Sequence, residues 1–552
     1  MAAPVRLLRI DPRDNVAVAL SALAAGDDFA VCDAVEAAAA VTVGGAAAGA
    51  GALAGRDAAS GTDGAAPAIA AGAPESGAAM SAACLDGGKA SEAVPAGHKL
   101  ALADIPAGGA VIKYGRTIGI AKGTIAAGSW VHSHNLASGL HGHRDFAALE
   151  PSPGGPTWTA PALPATAPRS FMGYRRADGQ AGIRNEIWIL PTVGCIASAA
   201  LRVAEKARAI WPETWAFSHP YGCSQLGGDL EATQRILAGL ARNPNAGGVL
   251  FLSLGCENNT LESFRKVLGP VDEGRVRFLV LQDEGDDIEA ALREIEALSA
   301  ALGKDKREEL PLSELRIGLK CGGSDGFSGI TANPLVGRVS DLFVAAGGSA
   351  LLTEVPEMFG AEEELLGRAA SKEIFAEAVA MVDRFKDYYV SHGQEIYENP
   401  SPGNRDGGIT TLEEKSSGCV RKGGSSPVVE VLAYGGRATR RGLGLLEGPG
   451  NDQVSSTALA AAGVQLILFT TGRGTPYGSP VPTLKIATNS GLAARKPGWI
   501  DFDAGRMATG SDPVVLALEL LDLVARTASG TAARNEKNGY RDIAIFKDGV
   551  TL

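Results

Sequence analysis

Short apolar segments alternate with helical segments from residue 186 onward, and this alternation constrains the fold more than any other feature of the sequence. Buried strands are predicted over residues 186–193, 248–254 and 276–281. Residues 198–210 and 287–302 have the pattern of helices, the second with an acidic first turn. Strands separated by helices of this length indicate parallel βαβ units. The pattern therefore predicts a layered α/β body.

A second α/β half begins with the strand predicted over residues 315–319. Residues 361–384 are predicted to be mainly helical, whereas residues 398–424 are rich in glycine, proline, serine and asparagine. That composition and length predict a long irregular loop, and such loops in compact proteins are usually functional or mobile. The remaining strands of this half are predicted over residues 350–354, 464–470 and 483–488.

The N-terminal part has the short apolar segments and tight turns of a small all-β module. Residues 15–23 are the exception, because their apolar and alanine content predicts a helix. From about residue 36 to residue 93, alanine and glycine replace the bulky residues that a core requires, so we predict a disordered insertion there. The strands of the module are predicted over residues 97–105, 111–115, 118–121 and 130–135.

These patterns divide the chain of 552 residues into a multidomain α/β protein. The small β-module occupies residues 1–135, with the insertion inside it, and a proline-rich linker follows over residues 136–168. The first α/β part is predicted over residues 169–310 and the C-terminal α/β part over residues 311–552.

Charge and composition exclude several classes of protein. The 62 acidic and 51 basic side chains give a net charge of -11, which argues against a nucleic-acid partner. No run of 18 apolar residues predicts a membrane span, and the first residues lack the apolar core of a signal peptide, so we expect a cytoplasmic protein. The seven cysteines are odd in number and widely spaced, which makes a poor disulfide framework.

The loop over residues 320–334 is the strongest candidate for a site. It follows a predicted strand and combines glycines with Cys321, Ser324, Asp325 and Asn333. Glycine lets the backbone approach a ligand closely, and the side chains offer donors, acceptors and metal ligands. Polar loops at the carboxyl ends of strands are where open α/β sheets bind ligands.

Other polar groups follow strands or turns in the same way. His132 and His134 end the β-module and lie two residues apart, so that in a strand they share a face and could bind a metal or an acidic substrate. Surface histidines at a strand end are an equally simple explanation. The further candidates are Cys223, Cys256, Glu257, Glu354, Lys415, Arg473 and Lys485. None of the spacings is that of a zinc finger, a P-loop or a nucleophile elbow.

Several of these segments together resemble the altronate/galactarate dehydratase family. The resemblance covers residues 170–552, and the N-terminal module resembles the SAF domain that these enzymes carry. The alanine- and glycine-rich insertion departs from the family pattern. The matching motifs lie at residues 171–179, 182–186, 219–225, 255–259, 321–334, 353–360, 399–404 and 543–550.

The resemblance implies a β-clip SAF domain, a Rossmann-like body and the dehydration of a sugar acid, D-altronate, to 2-dehydro-3-deoxy-D-gluconate. It also implies activation by Fe²⁺, with Mn²⁺ as a second possibility. Removal of the C2 proton builds negative charge on the substrate carboxylate, which a divalent metal would stabilise as a Lewis acid. We expect a small sugar acid as ligand, no nucleic-acid or membrane partner, and a homodimer.

Residue roles are assigned on this basis. His132 or His134 would supply the acid or base from the small domain. Metal and substrate would be held by two sets of groups. The expected substrate contacts are Ser324, Asp325, Asn333, Lys415, Arg473 and Lys485, and the expected metal ligands are Cys223, Cys256, Glu257, Cys321 and Glu354.

Three alternatives stay open at this point. Galactarate or a related aldarate presents the same carboxylate–hydroxyl unit as altronate. An iron–sulfur hydro-lyase could use cysteines, although no close cysteine pair of a common cluster spacing is present. A sugar-acid binding protein without catalysis is the non-enzymatic alternative. The thiols available to a cluster are Cys195, Cys223, Cys256, Cys321 and Cys419.

Overall fold

The computed structural model describes residues 5–34, 84–149 and 157–552. The N-terminal module consists of short strands only. Six of them form one sheet in the order β4-β3-β1-β2-β5-β8, and three form a second in the order β6-β7-β9. The strands are β1 (Val5–Arg9), β2 (Val16–Ala19), β3 (Asp28–Asp33), β4 (Cys84–Lys89), β5 (Lys99–Ala101), β6 (Ala110–Lys113), β7 (Arg116–Ala121), β8 (Trp130–Val131) and β9 (Leu136–Ala137).

Two predictions for the module are wrong in part. The predicted helix over residues 15–23 contains β2, whose side chains alternate between two core clusters, Val16 in one and Ala17 in the other. A segment buried on both faces loses the alternation that normally marks a strand. The predicted insertion is also too long, since β4 lies inside it; its residues up to 83 lie outside the described part of the chain. Cys32 is disulfide-bonded, which the cysteine spacing did not predict.

The second part of the chain contains a parallel sheet in the order β13-β12-β14-β15 and a three-stranded antiparallel sheet in the order β11-β10-β16. The predicted strands and helices here are confirmed. The elements are β10 (Ser170–Arg175), β11 (Ala181–Gly182), β12 (Glu186–Pro191), α1 (Ala197–Ala207), β13 (Thr214–Ala216), α2 (Gly227–Ala241), β14 (Ala246–Ser253), α3 (Leu261–Leu268), β15 (Val276–Val280), α4 (Asp287–Leu302) and β16 (Glu308–Pro311).

The third part is built on a seven-stranded parallel sheet in the order β19-β20-β18-β17-β21-β22-β23. Its strands are β17 (Arg316–Cys321), β18 (Ser349–Leu352), β19 (Val428–Leu432), β20 (Gly442–Leu446), β21 (Leu466–Thr471), β22 (Thr483–Ala487) and β23 (Phe502–Asp503). Its helices are α5 (Ala332–Ala345), α6 (Glu362–Leu366), α7 (Lys372–Ser391), α8 (Pro402–Asp406), α9 (Leu412–Cys419), α10 (Asp452–Ala461), α11 (Ser490–Arg495), α12 (Pro513–Ala528) and α13 (Arg534–Lys537).

The irregular loop predicted over residues 398–424 is wrong, because α8 and α9 lie in it. Thr411 caps α9 by accepting a hydrogen bond from the backbone N–H of Glu414. All eight residues of α9 are buried. The segment is therefore an interior element, and it brings polar side chains to the carboxyl edge of the large sheet.

Buried ion pairs join the parts of the chain. The ammonium groups of Lys99 and Lys113, on the β-module, lie 2.8 and 2.7 Å from the two carboxylate oxygens of Glu414 on α9. Arg541 makes a two-pronged pair with Glu186 on β12, at 2.8 and 2.7 Å. Phe146, within the predicted linker, packs into the core of the large sheet.

The result is a mixed α/β protein of several sheets. None of its described helices has the length and apolar character of a membrane span.

Candidate active site

A buried cluster of cysteine, glutamate and lysine side chains lies at the carboxyl edge of the large parallel sheet. β17 ends in Lys320 and Cys321, and the turn after β18 carries Glu354 and Glu357. The other contributions come from the segment that was predicted to be a loop: Lys415 and Cys419 on α9, and Lys422 in the 3₁₀ turn that follows it.

Two thiols and one carboxylate of this cluster converge. The Sγ atoms of Cys321 and Cys419 are 3.5 Å apart. Oε2 of Glu357 lies 3.1 Å from the first sulfur and 2.9 Å from the second. These three ligand atoms lie within 4.8 Å of one another, and no other described histidine, cysteine, aspartate and glutamate side chains form such a group of three. The donor set is compatible with one bound metal ion.

Three ammonium groups surround the donors. Nζ of Lys422 lies 2.8 Å from Sγ of Cys321 and 3.1 Å from Glu354. Nζ of Lys415 lies 2.9 Å from the second oxygen of Glu357. Lys320 contacts Glu354, and its Nζ lies 2.9 Å from Asp452 at the start of α10. Three carboxylates thus balance three ammonium groups.

This arrangement shifts the pKa values in opposite directions. Burial opposes the charge of Glu357, but the ammonium groups of Lys415, Lys422 and Lys320 outweigh it and hold the pKa of Glu357 well below its usual range. The pKa of the Cys419 thiol is raised well above its usual value by its contact with Cys321 and by burial. Cys419 is therefore a neutral thiol unless a metal displaces its proton.

Glu354 adopts a left-handed backbone conformation, with a φ of 73°. A non-glycine residue in this region carries strain that the surrounding structure must hold, and such residues concentrate at functional sites. Its carboxylate accepts a hydrogen bond of 3.0 Å from the backbone N–H of Cys321 and contacts Lys320 and Lys422. Glu354 lies within the cluster but outside the converging group of three ligand atoms.

The loop over residues 320–334 forms the neighbouring wall. Ser324, Asp325 and Asn333 line a small pocket together with Lys415 and Cys419. Burial raises the pKa of Asp325, although hydroxyl and amide groups donate to its carboxylate. The donors are Oγ1 of Thr488 at 2.9 Å, Nδ2 of Asn489 at 3.0 Å and Oγ of Ser328 at 3.1 Å.

The amide of Asn333 is engaged within the protein. Its Nδ2 donates to the carbonyl of Gly418 at 2.9 Å, and its Oδ1 accepts from the hydroxyl of Thr470 at 2.6 Å. These bonds connect α5, α9 and β21. Asn333 thus positions the pocket wall and has little capacity left for a ligand.

The two candidate histidines have different surroundings. The ring centroid of His132 lies 4.9 Å from that of Trp130 and 5.2 Å from that of His98, and its Nε2 lies 2.9 Å from the carbonyl oxygen of Arg405 on α8. Burial lowers the pKa of His132, so its imidazole is neutral at pH 7. His134 is exposed, and its ring lies 5.2 Å from Trp130.

His132 is connected to the pocket through α8. Asn404, the neighbour of Arg405, donates from Nδ2 to the carbonyl of Ser324 at 2.8 Å. Its Oδ1 accepts from Nζ of Lys415 at 3.1 Å. α8 is therefore one contact between the β-module and the pocket, and Tyr114 of the module lines the pocket directly.

Five of the sequence candidates are placed elsewhere. Arg473 is exposed, although its backbone N–H donates to Gly323 in the pocket loop. Nζ of Lys485 contacts the backbone carbonyls of Thr475 and Tyr477. Cys223 and Cys256 are exposed at the edge of the other parallel sheet, in the second part of the chain.

The fifth of these candidates, Glu257, is a buried hydrogen-bond acceptor. The hydroxyls of Ser253 and Thr192 donate to its Oε1 at 2.5 and 2.6 Å, and the backbone N–H of Gly255 donates to its Oε2 at 2.7 Å. Its oxygens are used within the fold.

Four members of the cluster were not among the metal ligands and substrate contacts assigned from the sequence: Lys320, Glu357, Cys419 and Lys422. Cys419 was considered only as a thiol of the iron–sulfur alternative. Three of the cluster positions carry a helical signal, because residues 415, 419 and 422 are spaced by four and three and share one helix face. The prediction of an irregular loop concealed that spacing. Glu357 is buried in the short turn that follows β18.

The fold and this buried centre define a multidomain α/β enzyme, and comparisons with known proteins identify its family. The SAF domain model of altronate/galactarate dehydratases matches residues 68–139. The model of the second domain of D-galactarate dehydratase/altronate hydrolase matches residues 173–303, and the C-terminal domain model of D-galactarate/altronate dehydratase matches residues 312–551.

Curated relatives extend over most of the chain. Altronate dehydratase from Escherichia coli (strain K12) is 50% identical over 83% of this chain and 92% of its own length. Altronate dehydratase from Bacillus subtilis (strain 168) is 48% identical over the same shares, and galactarate dehydratase (L-threo-forming) from Escherichia coli (strain K12) is 36% identical over 81% of this chain and 88% of its own length. The chain belongs to the D-galactarate/altronate dehydratase family. The family and the enzyme class predicted from the motifs, a sugar-acid hydro-lyase, are confirmed.

The donor set of the centre is a possible metal-binding group with two sulfur atoms and one carboxylate oxygen. Thiolate is a soft ligand and carboxylate a hard one, so Cys321, Cys419 and Glu357 fit a transition-metal ion.

Proposed function

We propose that this chain dehydrates D-altronate to 2-dehydro-3-deoxy-D-gluconate and water. The observation that carries the proposal is the buried centre, in which a metal donor set is surrounded by the ammonium groups of Lys320, Lys415 and Lys422. Such a centre suits an anionic substrate that gains further negative charge during the reaction. The choice of altronate over galactarate is supported by the higher identity to the altronate enzymes.

Each group has a role that follows from its position. Lys415, which lines the pocket, would neutralise the charge that develops on the substrate carboxylate when the C2 proton leaves. Ser324 and Asp325 would orient the substrate hydroxyls from the opposite wall. The iron, when bound by Cys321, Glu357 and Cys419, would supply Lewis-acid stabilisation. His132, neutral at pH 7, is the proposed base. Its Nε2 donates to the carbonyl oxygen of Arg405, so Nδ1, which lies 3.0 Å from the hydroxyl of Ser133, is the basic atom.

The body of this enzyme is further proposed to be Rossmann-like, on the basis of its two parallel sheets with intervening helices. The domain boundaries, the homodimer and the cytoplasmic location predicted from the sequence stay predictions.

The substrate is tested with a panel of aldonic and aldaric acids under anaerobic conditions with ferrous iron. We expect formation of the 2-keto-3-deoxy product from D-altronate at a rate at least about ten times that with galactarate, or about 1.4 kcal/mol in transition-state energy. Faster turnover of galactarate would replace the proposal by the aldarate alternative. Binding of altronate without product would instead favour the non-enzymatic alternative.

The role of His132 is tested by replacing it with glutamine. We expect His132→Gln to lower kcat at least about tenfold, because the loss of a positioned base commonly costs more than that. The matched control is His134→Gln, which changes an exposed imidazole on the same segment. The pH dependence of kcat/KM gives a second measurement, because the fall in rate at low pH should disappear with the base. Equal activity of the two variants and the wild type would exclude both histidines.

A further inference from the structure

Three free cysteines outside the proposed active centre lie on adjacent loops of the second parallel sheet. Cys195 follows β12, Cys223 follows β13 and Cys256 follows β14. These strands are parallel neighbours in the order β13-β12-β14, so all three loops leave the same carboxyl edge. All three cysteines are exposed, which is unusual for a residue type that is more often buried.

Hydrogen bonds hold the three loops against one another. The backbone N–H of Gly194 donates to the carbonyl of Tyr221 at 2.7 Å, which joins the first loop to the second. The N–H of Asn259 donates to the carbonyl of Gly222 at 2.9 Å, which joins the second loop to the third. The thiols are therefore carried by one fixed surface.

Each of these cysteines follows a glycine, and close packing of the loops requires at least two of these glycines. A Cβ atom at Gly222, where φ is 99°, would lie 2.0 Å from the carbonyl oxygen of Thr192. A Cβ atom at Gly194 would lie 2.7 Å from the carbonyl carbon of Pro220. Glu257 ties the same loops together, since its carboxylate binds Thr192 of the first and Gly255 of the third.

The surroundings of these thiols favour an anionic group. α1, α2 and α3 begin shortly after the three loops, so the positive ends of three helix dipoles point towards this edge. An anionic group bound at this edge would therefore be stabilised by the helix dipoles.

The three sulfurs do not have the spacing that a single metal ion would require. Bonds of about 2.3 Å would place the sulfurs that hold a single ion no more than about 4.6 Å apart. These three sulfurs do not form a group within 4.8 Å in the described part of the chain, whereas Cys321, Cys419 and Glu357 do. An iron–sulfur cube binds each thiolate through a different iron and so bridges wider separations. Three thiolates leave the fourth iron without a protein sulfur.

We propose that Cys195, Cys223 and Cys256 bind a [4Fe–4S] cluster whose fourth iron is open to an oxygen ligand. The class of oxygen ligand, a hydroxy acid, rests on the proposed function. α2 packs against α10 near the C-terminal ends of both helices, since a Cβ atom at Gly239 would lie 2.6 Å from the carbonyl oxygen of Ala461.

The cluster is tested on the full chain, purified anaerobically, incubated with ferrous iron and sulfide, and desalted. We expect about four irons and four acid-labile sulfides per chain in the cluster. Cys195→Ser, Cys223→Ser and Cys256→Ser should each lower the sulfide content at least about tenfold. The matched control is Cys419→Ser, which should keep the full sulfide content because that thiol belongs to the other group.

Three results would overturn the proposal. The first is a wild-type chain without labile sulfide, and the second is sulfide retained in all three serine variants. The third is sulfide lost in Cys419→Ser. Circular dichroism establishes that the variants fold; a serine variant that fails this check is replaced by the corresponding alanine variant.

The open iron has its own readout. Mössbauer spectra of the reconstituted Cys419→Ser variant, in which the metal site of the buried centre is impaired, should show one cluster iron changing on addition of D-altronate or galactarate, and four unchanged cluster irons would exclude an open position that accepts a hydroxy acid. Iron and sulfide contents do not depend on turnover. A failure of the substrate panel therefore leaves the cluster measurement intact, and a missing cluster leaves the substrate measurement intact.

Discussion

Replacing Cys419 with serine is expected to lower the rate of dehydration at least about a hundredfold, with the fold retained. Its sulfur is one of the three converging donors of the buried centre. Loss of a group that merely supports a metal ligand already costs about 10- to 100-fold in affinity or activity. Because the pKa of Cys419 is raised, its thiol is neutral in the metal-free protein, and serine leaves the balance between the lysines and glutamates unchanged.

The measurements are kcat with ferrous iron under anaerobic conditions and the iron content after desalting. Ser416→Ala is the matched control, because Ser416 lies on the same helix, is buried, and its hydroxyl has no hydrogen-bond partner among the described residues. We expect this control to keep wild-type activity. Full activity and unchanged iron affinity in Cys419→Ser would mean that Cys321, Glu357 and Cys419 do not form the metal site.

The raised pKa of Cys419 has a further effect on iron binding. A metal must displace the thiol proton, so the apparent affinity for Fe²⁺ at this centre should increase as the pH rises towards the pKa of the thiol. Titrations of the wild type and Cys419→Ser over a range of pH should therefore differ in slope, with the serine variant less dependent on pH.

The second large effect is expected from Glu414→Gln, which should lower the free energy of unfolding by about 3–5 kcal/mol at pH 7. The Glu414 carboxylate lies between the ammonium groups of Lys99 and Lys113, and all three side chains are buried. Burial lowers the pKa of Lys99 to about 8 even with this partner. Removing the one carboxylate leaves two buried ammonium groups without a counter-ion.

The pH dependence of this difference has a definite sign. Despite burial, Lys113 and Lys99 hold the pKa of Glu414 below its unfolded value, so its stabilising contribution is fully present above the unfolded pKa, about 4.3. The contribution is lost as the pH falls further towards the lower folded pKa. Urea unfolding curves of the wild type and Glu414→Gln should therefore differ most near neutral pH and converge in acid.

Glu413→Gln is the matched control for this prediction. Glu413 precedes Glu414 on α9, but its Oε1 accepts hydrogen bonds from the hydroxyl of Ser138 and the backbone N–H of Gly139 and no lysine contacts it among the described residues. Burial raises the pKa of Glu413, so removing its charge should change stability by less than about 1 kcal/mol. Equal destabilisation by both variants would show that the helix position, and not the ion pairs, accounts for the loss.

Activity should respond to Glu414→Gln as well as stability. Lys415 follows Glu414 directly, and Cys419 lies one turn further along the same helix. The β-module therefore holds, through Glu414, the helix that supplies two groups of the centre.

The periodicity of apolar residues and the capping residues at helix ends predicted the elements that depend on local sequence. Helix α4 has its predicted bounds, because an apolar face and an N-terminal acidic cap are properties of neighbouring residues. The strands around β17 and the polar loop after it were predicted for the same reason. The prediction failed for β2, where burial on two faces removed the alternation, and for α9.

The sequence by itself determined the α/β class, the family and the polar loop of residues 320–334, since each depends on order and spacing along the chain. Only the tertiary structure decided that α9 is a buried helix beside that loop. Glycines permit the close packing of these two segments. A Cβ atom at Gly329, in the loop, would lie 2.3 Å from the hydroxyl of Tyr114 and 2.9 Å from Cα of Gly418, on α9. A glycine-rich composition indicates flexibility in an exposed segment, but in these buried segments it permits contact between two backbones. That contact brings Cys419 and Lys415 to Cys321, and no local signal in the sequence records it.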